Sequence, residues 1–70
     1  MKRERLFKLM RVNYGLSQLE VADVLGYASR QVVSRKERSA VPITNRDLMA
    51  LAFHTEANLT KTTKGEWTLL

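Results

Sequence analysis

Arg30, Gln31, Ser34 and Arg35 stand one, three and four residues apart, a spacing that puts side chains on one face of a helix. Their shared chemistry is multidentate hydrogen bonding. A guanidinium can bind guanine O6 and N7 through two donors, and a carboxamide can do the same to adenine N6 and N7. Serine is short enough to let a backbone come close. Such a row is ordinarily a solvated polar face. Here it lies in a segment, residues 30 to 38, that carries Arg30, Arg35, Lys36 and Arg38 against Glu37 alone, which favours a polyanionic partner. Ser29 at the start of the row and Arg38 just past its end join it as candidates for contact with double-stranded DNA.

No other chemistry has the residues it needs. The chain lacks cysteine and has one histidine, His54, so disulfides, thiolate nucleophiles and a histidine-built zinc site are excluded. Gly15, Gly26 and Gly65 are isolated, which leaves no phosphate-cradling loop, and no carboxylates cluster as an acid–base pair. The expectation is a protein without catalytic residues, metal, cofactor or small-molecule ligand. Twelve Lys and Arg against seven Asp and Glu give 70 residues a net charge of +5, enough for one small basic domain. The positive charge has a second focus in residues 1 to 11, where Lys2, Arg3, Arg5, Lys8 and Arg11 face Glu4. These can contact phosphates or supply long-range attraction. The longest apolar run, Leu48 to Phe53, is far below the roughly 18 residues that span a bilayer.

Four helices are expected to position these groups. Leu6, Phe7, Met10 and Tyr14 lay an apolar stripe on a first helix from about Lys2 to Asn13, ended by Gly15. Ser17 and Glu20 spell the capping box S-x-x-E, so a second helix starts there. It carries Val21, Ala22 and Leu25 inward and stops at Gly26. Ser29 is the N-cap expected for a third helix running to about Arg38, whose only apolar residues are Val32 and Val33. Most of its surface must therefore face water or a partner. Pro42 makes residues 39 to 43 a loop, and Thr44 or Asn45 caps a fourth helix with Leu48, Leu51 and Ala52 buried and Met49 and Phe53 beside them. These elements make residues 1–54 one domain. Residues 55–70 form a C-terminal tail that leans towards β structure around Lys64-Gly65. A short strand or hairpin, giving a fifth element, and a tail that orders only in a dimer both remain open.

Ala22, small at mid-helix, and Gly26, four residues on, suit two short helices crossing at a tight turn, the second of them polar and basic. That arrangement is a helix-turn-helix. The residues RVNYGLSQLEVADVLG at 11 to 26, VSRKERS at 33 to 39 and the spacing of Pro42, ITNRD, Leu48, MA and LA up to residue 52 resemble the Cro and phage-repressor (XRE-type) helix-turn-helix family over about two thirds of the chain. Arg11, Gly15, Leu16, Ser17, Gln18 and Ala22 carry the most specific part of that pattern. The resemblance puts the turn at Tyr27-Ala28-Ser29 one residue longer than its commonest form, which brings Val33 rather than Val32 inward. Lys36 stands where an aromatic or aliphatic residue is common, and Ser39 replaces a usual glycine.

What the resemblance implies is a mainly α domain of the repressor or Cro type that regulates transcription. The third helix would lie in the major groove of an operator, and Gln18 would contact a phosphate at the start of the second helix. Arg11 and Glu37 would form a partly buried salt bridge between the first and third helices. A homodimer on a two-fold operator is implied, with the tail as the candidate dimer element. An antitoxin or protein-interaction module on the same scaffold is the alternative. Lys2, Arg3 and Arg5 have the character of a signal-peptide start, but Lys8 and Arg11 break the apolar stretch that would have to follow. The expected location is therefore the cytoplasm of a bacterial or phage-infected cell, with the mature chain being these 70 residues.

Overall fold

The computed structural model describes all 70 residues as four helices followed by a two-stranded hairpin: α1 (Arg3–Tyr14), α2 (Gln18–Leu25), α3 (Arg30–Glu37), α4 (Asn45–His54), β1 (Leu59–Lys61) and β2 (Trp67–Leu69). The principal extents are 35 × 25 × 17 Å. Ten apolar residues form one core: Leu6, Phe7 and Met10 of α1, Val21 and Ala22 of α2, Val33 of α3, Leu48, Leu51 and Ala52 of α4, and Ile43 from the loop before α4. Each helix gives its stripe to the same centre, so none could hold its place alone.

The ends of the first two helices follow from backbone chemistry. Gly15 and Gly26 adopt φ of 80° and 78°, and in each case the amides of the glycine and of the following residue turn back to carbonyls of the last helical turn. Both are Schellman endings, in which the glycine conformation would cost any other residue about 1–2 kcal/mol. Nothing lies within 4 Å of a Cβ at either position, so the dihedral angle rather than crowding calls for glycine. The α2 start is the capping box: Glu20 N–H donates to Ser17 Oγ at 3.0 Å and Ser17 N–H donates to Glu20 at 2.9 Å. Because its carboxylate accepts from the Ser17 amide and hydroxyl, Glu20 titrates below the ordinary glutamate range.

α4 begins with a second capping box. Thr44 is its cap, with Asp47 N–H donating to Thr44 Oγ1 at 3.1 Å and Thr44 N–H donating to Asp47 Oδ2 at 3.0 Å. Ser29 behaves differently: it holds the extended N-cap position of α3, but its hydroxyl makes no capping hydrogen bond. The third helix closes at Glu37, with Ser39 at φ 64° in the left-handed region.

Tyr14, placed on the apolar stripe of α1, is outside, and so are Met49 and Phe53, placed beside the buried face of α4. Tyr14 is half exposed because it falls on the last turn of α1, where its ring meets His54 edge-on at 6.0 Å. Met49 and Phe53 are 58% and 90% exposed, since Leu48, Leu51 and Ala52 already turn the other face of α4 into the core. Leu25 is only half-buried.

Residues 55–70 fold back as an antiparallel hairpin, with Leu59 opposite Leu69, Thr60 opposite Thr68 and Lys61 opposite Trp67. Leu59, Trp67 and Leu69 pack against the helical core, and the Lys61 ammonium sits 4.9 Å above the Trp67 ring. No helix is long and apolar enough to cross a membrane.

Candidate nucleic-acid interface

α3 packs chiefly on α2, and Ala22, 1% exposed, lets the two backbones come close. The chain passes between them through Tyr27, whose amide donates to the Ala22 carbonyl at 2.8 Å. Val33 is fully buried and Val32 half-buried. This orientation fixes the opposite side of α3. Arg30, Gln31, Arg35 and Arg38 are exposed there, with Ser29 exposed at the helix start, while Ser34 is half-buried behind them. Arg30, Arg35 and Arg38 have no ion-pair partner within the chain. The α3 candidates thus share one outward surface, with Ser34 as its floor.

The inward side of α3 is held by two ion pairs. At one edge the Arg11 Nε and Nη2 donate to the two oxygens of Glu37 at 2.7 and 3.1 Å, and Nη1 donates to the Leu16 carbonyl at 2.9 Å. The Arg11 and Glu37 side chains are 14% and 5% exposed, so this fork ties α1, the α1–α2 turn and α3 together largely out of water. Gln18 joins it, its amide donating to Glu37 at 3.3 Å. One further N–H of that amide stays free. The N-terminus of α2 already holds the Glu20 carboxylate, so an anion approaching there meets a negative charge as well as the helix dipole.

The second pair has no counterpart in the sequence reading. Lys36, 6% exposed, donates to Asp47 Oδ2 at 2.8 Å and to the Pro42 carbonyl at 3.0 Å. Its ammonium lies 5.3 Å from the centre of the Tyr27 ring, and the Tyr27 hydroxyl donates to Asp47. Lys36 therefore uses its aliphatic stem to fill an apolar position and its head to bridge α3 to the 39–44 loop and to α4. The T-x-x-D spacing of Thr44 and Asp47 was a visible capping signal. No sequence signal placed Lys36 beside them, eleven residues away.

Titration of the cluster follows from its geometry. Burial works against the charge on both Lys36 and Asp47, but the hydrogen bond and Coulomb attraction between them prevail, raising the lysine and lowering the aspartate. Burial, then the Asp47 carboxylate, push the Tyr27 hydroxyl up. A lowered aspartate contributes stability above its unfolded value near 4 and loses it as pH falls through the folded value; a raised lysine or tyrosine contributes below about 10 and loses it as pH rises further. Circular-dichroism melts are expected to give a stability plateau from about pH 5 to 9 with losses on both sides. A steep fall inside that window would contradict the assignment.

Away from α3, Arg3 Nη1 donates to the Ile43 carbonyl at 3.4 Å, whereas Lys2, Arg5 and Lys8 are exposed. No three His, Asp or Glu side chains come together in a way that could hold a metal ion. No family model, curated protein or solved structure matches this chain.

Proposed function

We propose that this protein is a sequence-specific regulator of transcription that binds double-stranded DNA through a helix-turn-helix, with α2 and α3 as its two helices and α3 in the major groove. The observation that carries this reading is the outward side of α3, where three arginines without internal partners flank an exposed glutamine on a helix braced from behind by Val33, Lys36 and Glu37. Arg30, Gln31 and Arg35 supply direct reading of base edges, and half-buried Ser34 keeps the floor low enough for the backbone to come near. Arg38 and Ser29, at the two ends of the helix, serve the sugar–phosphate strands. Lys2, Arg5 and Lys8 add to the attraction.

Gln18 contributes to the phosphate contacts with its remaining N–H while steadying Glu37. A single module of this kind covers roughly 600–1,000 Å² of DNA contact surface, short of most specific interfaces. Two copies on a two-fold operator meet the need, with half-sites about 34 Å apart or a multiple of that. The reading requires neither metal nor cofactor and places the protein in the cytoplasm with the nucleoid.

Arg30→Ala and Gln31→Ala are expected to cost roughly 1–3 kcal/mol each on the preferred site and to relax specificity at one base position. Their melting temperatures should stay within a few degrees of the parent, because neither side chain has an internal role. Fluorescence anisotropy with the preferred duplex and with unrelated duplexes separates the cases. Equal losses on all sequences would demote the two residues to phosphate contacts. No loss on any sequence would remove α3 from the interface.

A further inference from the structure

We infer that the outer face of α4 is the contact between two copies of this chain, paired antiparallel across a two-fold axis level with residue 51. α4 is apolar on two sides. Leu48, Leu51 and Ala52 fill the core, and on the outside Met49, Ala50 and Phe53 follow Arg46 at the spacing of a single helical stripe. A scattered exposed apolar residue is ordinary. A helix apolar on both sides is the pattern of one covered on both sides, and Phe53 at 90% exposure is the most open large apolar side chain in the molecule.

Register points to a second copy as the occupant. In an antiparallel pair of identical helices, residues equidistant from the axis lie level with each other. Met49 and Phe53 are centred on residue 51, so each copy's Met49 meets the other's Phe53. Arg46 stands in the first turn of α4, and Glu56 stands two residues past its end, where the chain has left the helix with φ 57°, so the two mark opposite ends of this face. Both are exposed and neither has an ion-pair partner in its own chain. The antiparallel register that joins the apolar pair therefore also brings the arginine at the start of each helix to the end of the other, where the glutamate follows. Ala50, small and near the centre, lets the helices approach. The hairpin is the weaker candidate for this role, because Leu59, Trp67 and Leu69 are turned onto the chain's own core.

This inference names the surface behind the pairing in the proposed function, and it is tested without DNA, so its failure would leave the reading of α3 standing. Sedimentation equilibrium of the whole chain up to about 1 mM is expected to show a reversible dimer, and Phe53→Asp is expected to raise its dissociation constant at least tenfold or so. Helical circular dichroism and melting of that variant under monomeric conditions should match the parent, since the ring is outside. Arg46→Glu and Glu56→Arg should each weaken the dimer, and the two together should restore it. A monomer at the highest concentration, a dimer indifferent to Phe53→Asp, or a double variant no tighter than either single one would overturn the inference. Any dimer of the last two kinds would be held by another face.

Discussion

Asp47→Ala is expected to be the most destabilising single substitution in the chain. Three donors converge on this one carboxylate: the Lys36 ammonium, the Tyr27 hydroxyl and the Thr44 amide. Its loss strips α4 of half its capping box and leaves Lys36 buried, with only the Pro42 carbonyl and the Tyr27 ring near its charge. Removing one partner of a buried ion pair costs about 3–5 kcal/mol. A 70-residue domain has roughly 4–10 kcal/mol of stability in all. The melting temperature should fall by an amount on the order of 20 °C. Lys36→Met is the informative comparison, because methionine fills the space of the lysine stem and Asp47 keeps two of its three donors. It should cost less, about 2–3 kcal/mol, the loss of the lysine's hydrogen bonds to Asp47 and to the Pro42 carbonyl being offset in part by the apolar fill. Thermal and urea melts of the two variants check the order. A Lys36→Met variant less stable than Asp47→Ala would show that the cluster is not centred on the carboxylate.

Glu37→Ala is expected to be the second most damaging change. It removes the acceptor of both Arg11 donors and of Gln18, and the guanidinium left behind retains only the Leu16 carbonyl. A stranded, largely buried arginine costs roughly 3 kcal/mol. The expected signature is a lowered melting temperature with DNA affinity recovered on cooling, since Glu37 faces α1 and α2 rather than the outward side of α3. Glu37→Gln should fall between, keeping one acceptor. If Glu37→Ala melts like the parent yet no longer binds DNA, Glu37 belongs to the contact surface and the structural role assigned here is wrong.

These two ion pairs differ in how far they could be read from the chain. The helix boundaries were legible because their signals are local: Ser17 with Glu20, Gly15 and Gly26 at left-handed positions, and Pro42 closing the loop. The residues alone left Val32 and Val33 as equals, and only the resemblance, by lengthening the turn at residues 27 to 29, pointed to Val33, which is the one buried. Burial of Lys36 had no local signal of its own. By itself a lysine in a polar helix reads as solvent-facing; the resemblance, which has an aromatic or aliphatic residue at this position, hinted otherwise, but the groups that accommodate it come from three other segments that only the folded chain assembles. Tyr14 failed in the opposite direction: its apolar character suggested a place on the buried stripe that Leu6, Phe7 and Met10 already fill. Ser29 had the residue type of a cap without making the bond. Of the tail, residue preference suggested β structure, and its pairing with itself depends on packing against α1 that a local pattern does not contain.

If α3 serves as proposed, its outward side discriminates one DNA sequence from another. The most direct test is selection of binding sites from a random duplex pool at about 150 mM salt, where attraction to phosphates alone is largely screened. The expected result is enrichment of a two-fold symmetric motif whose half-sites are one helical turn apart or a multiple of it. Recovery of no motif from a folded protein would contradict it, leaving a basic domain whose exposed α3 serves a protein partner instead.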